Sequence, residues 1–184
     1  MPFNSLIRGM NLFAIRKKSN MIDKLINLVK ENAGDDIVRN PAIPDQKNDE
    51  AITDVSDEIN KGIEHEAREG NVQSLISMFK GSSGSGLTNN PMVKSIISNV
   101  AGKFASKFGV SPETASQIAS GIVPKVMNQF INKTNDPNDK EFDLQDVLRN
   151  FTGKNDIGDL MGQFTGDSKG GLGETVGGLF DKKE

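Results

Sequence analysis

A repeat of apolar doublets between residues 90 and 133 constrains this chain more than any other feature of its sequence. Each doublet lies four residues from the next, first over 92–108 and again over 115–131. That spacing is typical of amphipathic helices, because residues three and four apart share one face of a helix. The connection between the two runs, 109–111, is too short for anything except a close turn. The sequence therefore predicts a helical hairpin.

Both predicted helices of the hairpin carry the same start signal. Asn90-Pro91 and Ser111-Pro112 each place a capping residue directly before a proline. Asn and Ser side chains accept hydrogen bonds from the first free amides of a helix, and proline suits the first helical position. Phe104 and Ile118 lie at the centres of the two apolar faces and are predicted to be core residues.

Shorter amphipathic patterns predict further helices on both sides of the hairpin. These helices span approximately 21–33, 49–69, 72–79, 143–151 and 156–164. Gly34 is expected to end the first of them in a left-handed conformation, Asn71 to cap the third, and Asp143 to cap the fourth. The second helix shows only a narrow apolar stripe, and the rest of its surface is acidic.

The predicted fold class is all-α, a compact bundle of short, crossed helices around the central hairpin. Residues 1–20 are expected to be a disordered arm or an upstream extension, 21–165 the helical domain, and 166–184 a flexible glycine-rich tail. The segment 81–90, which contains the run GSSGSG, is expected to be a soft boundary inside the domain.

Composition excludes several kinds of site. The chain of 184 residues has ten Phe but no Trp, Tyr or Cys, so it contains neither disulfides nor thiolate metal ligands. No apolar run approaches the roughly 18 residues of a membrane span. In residues 1–20 the basic residues follow the apolar ones, which is the reverse of a secretory signal. We therefore expect a cytoplasmic protein without a cofactor.

Residues suited to catalysis are scarce in the sequence. The single histidine, His65, lies in a predicted acidic helix between Glu64 and Glu66 and is expected to be solvated. The serine-rich stretches lack a neighbouring base and an oxyanion arrangement. No phosphate-binding or dinucleotide-binding loop is present in the sequence. The sequence therefore predicts a protein that is not an enzyme.

Charge is spread unevenly along the chain, whose formal net charge is −3. Residues 21–70 carry six basic and thirteen acidic side chains, 71–133 six basic and one acidic, and 134–184 six basic and eleven acidic. A basic centre between acidic flanks indicates either charge complementarity within the molecule or an anionic partner on the centre.

Three stretches of the sequence resemble the bacterial YidB-like family, the domain of unknown function 937, in the form found in Bacteroidota. They are MIDKLINLVKENAGDDIVRNPAIP at 21–44, SKFGVSPETASQIASGIVPKVMNQFINKTNDPND at 106–139, and the glycine-rich end. The resemblance covers residues 21–184, so it implies Met21 as the natural start, together with an all-helical fold. It brings no established activity, and no functional residues can be carried over from it.

The candidate nucleic-acid interface is a corner at 105–118 that has the spacing of a helix-turn-helix. A small residue, a turn glycine and two apolar contacts are supplied by Ala105, Gly109, Ala115 and Ile118. The candidate contacts to nucleic acid are Lys103, Lys107, Gln117 and Lys125. The helix that would enter the groove, 112–120, has no Lys or Arg. Because DNA binding relies on cations, a structural corner is the favoured interpretation.

A calcium loop at 135–146 is a second candidate. Its ligand positions would be Asn135, Pro137, Asp139, Glu141, Asp143 and Asp146. Pro137 cannot bind a metal through its side chain, and Lys140 occupies the position of the turn glycine. A weak calcium site and a capped turn are the two alternatives.

The last predicted helix offers a surface for association, because Gly158, Gly162 and Gly166 are spaced by four. Each glycine weakens an isolated helix by about 1 kcal/mol, so such a helix needs a partner, and its glycine face lets another backbone come close. We therefore expect a protein-interaction or self-associating module with an unknown protein partner. The alternative is a DNA-associated or nucleoid-associated protein that uses the corner at 105–118.

Deletion of residues 1–20 tests whether they are separate from the fold. Because their composition differs from that of residues 21–184, their removal is expected to leave the melting temperature unchanged within about 2 °C. Thermal unfolding of the full and the shortened chain, followed by circular dichroism, measures the difference. A fall of about 10 °C would mean that Phe3, Leu6 or Phe13 is docked in the core.

Overall fold

Six α-helices make up most of the chain that the computed structural model describes, which is residues 21–81 and 86–152. They are α1 (Met21–Asn32), α2 (Asn48–Arg68), α3 (Val72–Lys80), α4 (Pro91–Phe108), α5 (Pro112–Asn135) and α6 (Leu144–Thr152). A π-helical turn at Gly34–Val38 and short 3₁₀ turns at Asp45–Lys47 and Leu87–Asn89 lie in the connections. These two ranges contain no strand, so the all-α prediction is confirmed.

Helices α4 and α5 form the predicted hairpin. The Asn90 side chain accepts a hydrogen bond from the Met92 amide at 2.9 Å, and the Ser111 hydroxyl accepts one from the Thr114 amide at 3.2 Å. Both predicted caps are therefore confirmed. Gly109 turns the chain between the helices with a φ of 66°, a left-handed conformation that glycine adopts at little cost.

One apolar core includes residues from both sides of the connection between α3 and α4. Phe104 and Ile118 are buried in it, as predicted. Phe130 of α5 packs edge-on against Phe79 of α3 and against Phe142, with ring centroids 5.2 Å and 5.7 Å apart. The hairpin is thus covered by elements that precede it and by the loop after α5.

Helix α2 is buried on more of its surface than its sequence pattern predicts. It contacts α1, α3, α4, α5 and α6. Its buried side chains include Asp54, Ser56 and Glu58 in addition to the apolar stripe. The expectation of an acidic outer surface is therefore wrong at these positions, because α4 covers acidic residues that the pattern places on the polar side.

Two predictions about how helices are capped are wrong, although the helices themselves begin and end close to the predicted residues. Gly34 does not adopt a left-handed conformation. The Ala33 carbonyl accepts a hydrogen bond from the Val38 amide at 3.0 Å, and the chain continues into the π-helical turn. The side chain of Asn71 makes no cap for α3, since its amide donates instead to the Glu66 carboxylate at 2.8 Å.

The beginning of α6 agrees with the prediction. Asp143 accepts hydrogen bonds from the amides of Gln145 and Asp146 at 2.9 Å and 3.3 Å. The predicted helix at 156–164 and the predicted terminal segments, 1–20 and 166–184, lie outside the described residues.

A glycine lies at the point where α2 crosses α4. A Cβ atom on Gly62 would lie 2.5 Å from Cγ1 of Ile96, which is buried, so the backbone of α2 approaches this side chain too closely for any larger residue. Gly102, on the exposed side of α4, has open space where a Cβ would be.

Alanine at these two glycines is expected to have opposite effects on stability. Gly62→Ala should lower the free energy of unfolding by about 1–3 kcal/mol, because the added methyl overpacks the crossing. Gly102→Ala is the matched control and should raise it by about 0.5–1 kcal/mol through helix propensity. Urea denaturation of both variants measures the effects. Stabilisation by both would mean that the two helices do not cross closely at Gly62.

Candidate functional site

Two lysines of the predicted nucleic-acid face, Lys103 and Lys107, are paired with carboxylates of α2. Lys107 Nζ lies 2.8 Å from Asp54 Oδ1 and 3.4 Å from Glu50 Oε1. Lys103 Nζ lies 2.9 Å from Glu58 Oε1 and 3.4 Å from Asp54 Oδ1. We call these five residues the α2–α4 charge network.

The spacing of the network is a consequence of helix geometry. Its carboxylates and its lysines are each four residues apart, so each set lies on one face of its helix. The side chains of Asp54 and Glu58 are only 6% and 8% exposed, whereas those of Lys103 and Lys107 are 27% and 41% exposed. The carboxylates therefore lie between the helices, and the lysine side chains that reach them are still partly in water.

The environment of Glu58 contains two opposing effects. Burial alone would raise its pKa, but hydrogen bonds from Lys103 and Lys61 outweigh burial, and the pKa of Glu58 lies below its ordinary value. Burial likewise disfavours the charged form of Lys103. Its interactions with Glu58 and Asp54 are stronger, and the pKa of Lys103 is raised.

At the exposed end of the network, the carboxylate pKa is again lowered and the lysine pKa is again raised. Hydrogen bonds from Lys47 and Lys107 lower the pKa of Glu50, and the hydrogen bond to Asp54 raises the pKa of Lys107. A lowered carboxylate pKa contributes stability that is present above the unfolded value and is lost as pH falls through the folded value. A raised lysine pKa contributes stability that is lost only as pH rises through that raised value. Both contributions are therefore present at neutral pH.

The other predicted contacts occupy different surroundings. Lys125 Nζ lies 2.6 Å from Asp36 Oδ2 of the π-helical turn. A Cβ on Gly121 would lie 2.5 Å from Asp36 Oδ1, so this turn packs closely on α5. Gln117 is exposed on α5. The structure therefore pairs all three predicted lysines with acidic side chains and leaves the glutamine facing solvent.

The acidic residues of the predicted calcium loop stabilise a turn and a helix cap. Asp139 accepts a hydrogen bond from the Glu141 amide at 3.1 Å and lies 3.7 Å from Lys133 Nζ. Asp143 is the cap of α6. In residues 21–81 and 86–152, no group of three or more Asp, Glu, His or Cys side chains could hold a metal ion. The capped turn is therefore the arrangement observed.

A cleft of about 200 Å³ lies between α3 and the beginning of α4. Its lining residues are Glu66, Ser74, Leu75, Met78, Asn90, Pro91 and Met92. Leu75 and Met92 are buried, whereas Ser74 and Pro91 are exposed at the rim. We call it the α3–α4 cleft. The sequence does not predict this cleft, because its lining comes from three separate helices and no local pattern brings these residues together.

A second, more polar cleft of about 160 Å³ lies between α2, α6 and the beginning of α1. Asn60 and Glu64 line it and are hydrogen-bonded to each other at 2.8 Å. Asn150 also lines it and donates to the Asp146 carbonyl at 2.7 Å. Polar side chains that α2 and α6 contribute to this cleft are therefore already hydrogen-bonded within the protein.

The glycine-spaced face proposed for helix packing, formed by Gly158, Gly162 and Gly166, lies outside the described residues. None of the helices that the structure describes is both long and apolar enough to cross a membrane. Comparisons of the chain with protein families, characterised proteins and solved structures found no match. The resemblance to the YidB-like family therefore stays a prediction.

Removal of one network carboxylate tests how much the fold depends on it. Asp54→Asn is expected to lower the free energy of unfolding at pH 7 by about 2 kcal/mol, because two lysines lose their shared buried partner. Chemical denaturation at pH 7 measures the loss.

Asp35→Asn is the matched control for this change. Asp35 pairs with Arg39 on an exposed surface, and its loss should alter stability by less than about 0.5 kcal/mol. Equal effects of the two substitutions would show that the α2–α4 charge network contributes no more than an ordinary surface pair.

Proposed function

We propose that the chain is a non-enzymatic helical interaction module that binds a partner protein or a second copy of itself. The α3–α4 cleft is the observation that carries this proposal. It combines an apolar floor, two methionines and polar groups at its rim. Methionine side chains are unbranched and polarizable, so they adapt to apolar groups of different shapes. Such a surface suits the binding of a protein segment.

The charge network supports a non-enzymatic role for the acidic residues. A carboxylic acid that donates a proton near neutral pH needs a raised pKa, and those of Glu50 and Glu58 are lowered. The one histidine, His65, is exposed on α2. Under this proposal the ionised carboxylates orient helices, and the resemblance to a family without an established activity is consistent with that role.

The same network weighs against nucleic acid as the partner. A phosphate contact by Lys103 or Lys107 would have to compete with buried carboxylates that depend on them. The exposed part of α5 nearest the corner carries Glu113, whose charge opposes a phosphate backbone. The DNA-associated alternative therefore has less support than a protein partner.

Sedimentation equilibrium of the full chain over a wide concentration range tests self-association. We expect reversible association with a Kd on the order of micromolar. Gly162→Leu should weaken it by at least about tenfold, because a bulky side chain separates closely packed helices. Gly173→Leu, which lies outside the four-residue spacing, is the matched control and should change the Kd by less than about twofold.

Two results would contradict the proposal in different ways. A chain that stays monomeric at all concentrations would remove self-association and leave only a partner protein. Selection on random DNA duplexes that yields one motif, bound with sub-micromolar affinity and lost on Gln117→Ala, would make nucleic-acid binding the leading function. Without such a motif we expect DNA affinity no tighter than about 10⁻⁶ M at physiological salt.

A further inference from the structure

We infer that the α3–α4 cleft takes an apolar side chain that has a lysine or arginine beside it, presented by a segment of a partner protein. This inference rests on the proposed interaction function and specifies the chemistry of the partner. Two features of the cleft set the chemistry of the partner: an apolar floor and, among the described lining residues, one acidic side chain, Glu66.

The apolar requirement comes from the floor of the cleft. Leu75 and Met92 are buried there, and Met78 is partly buried beside them. Burial of apolar surface contributes roughly 25 cal/mol for each Å² removed from water. A side chain that enters a cleft of about 200 Å³ therefore gains most if it is apolar along its whole length.

The requirement for a lysine or arginine in the partner comes from Glu66. Its Oε2 accepts a hydrogen bond from the Asn71 side chain at 2.8 Å. This donor is neutral, so the charge of Glu66 has no counter-charge among the described residues. Glu69 lies near the same terminus of α2 but is exposed and does not line the cleft. The carboxyl end of a helix also carries a partial negative charge. Among the described residues that line the cleft there is no lysine or arginine, so a cation must come from the partner.

The rim allows a test that leaves the core intact. Ser74 lines the cleft and is exposed, so Ser74→Trp should block the cleft without changing the packed interior. Ser77→Trp places the same side chain at an exposed position of α3 that does not line the cleft. Glu66→Gln keeps an oxygen for Asn71 but removes the charge, and Glu69→Gln is its matched control.

Selection of random peptides displayed on phage against the immobilised full chain supplies the probe. The enriched peptides should share an apolar residue with Lys or Arg beside it. Ser74→Trp should weaken their binding by at least about tenfold, and Glu66→Gln by about threefold to tenfold. Both control variants should stay within about twofold of the original chain. Thermal unfolding of each variant checks that the fold is retained.

Three outcomes would overturn the inference. They are the absence of an enriched sequence, an enriched sequence that is acidic or lacks a basic residue, and binding that Ser74→Trp leaves unchanged. Peptides that bind at another surface would show that the α3–α4 cleft is not the binding site, but they would agree with the proposed interaction function. Failure of the peptide selection together with a strictly monomeric chain in sedimentation would contradict both.

Discussion

The pairing of buried carboxylates with lysines holds α2 against α4, and the arrangement of the other helices depends on it. Asp54 and Glu58 lose most of their contact with water in the fold. Taking an ion out of water costs several kcal/mol unless partners and hydrogen bonds replace the solvent. Lys103 and Lys107 supply those partners from the other half of the chain. The stretch of α2 around Asp54 can therefore be buried only when the hairpin is already beside it.

The same pairing fixes how the two helices are aligned. Glu50 pairs with Lys107, and Glu58 pairs with Lys103. A later residue of α2 therefore contacts an earlier residue of α4. Farther along, Gly62 lies against Ile96. The order of these contacts shows that α2 and α4 run antiparallel. At the next step Glu66 and Met92 line the α3–α4 cleft together. The position of the cleft is thus set by a register that charge pairs and one glycine determine.

Local signals in the sequence were sufficient to predict the hairpin but not the surroundings of α2. The apolar doublets and the two capping residues act within a few residues, so Asn90, Ser111 and Phe104 were assigned correctly. Gly34 and Asn71 were assigned wrongly because nearby groups offered other hydrogen bonds. The Asp54 partners lie 49 and 53 residues away in the chain, beyond the reach of helical periodicity. The only sequence feature that indicates these ion pairs is the difference in charge between the acidic segment 21–70 and the basic segment 71–133.

The fold and a nucleic-acid function would compete for the same two lysines. If Lys103 and Lys107 turned towards phosphate, Asp54 would remain buried without either of the lysines that pair with it, which costs about 3–5 kcal/mol. Glu58 would keep only its pair with Lys61. A hydrogen bond to a charged group returns about 1.5–3 kcal/mol, so the internal pairing prevails. Glu66 is outside the α2–α4 charge network, and within residues 21–81 and 86–152 its carboxylate is bonded to a neutral side-chain donor, Asn71, and to no cation. Binding of a cation at the α3–α4 cleft therefore leaves the α2–α4 charge network intact. The protein can bind a partner there without losing stability.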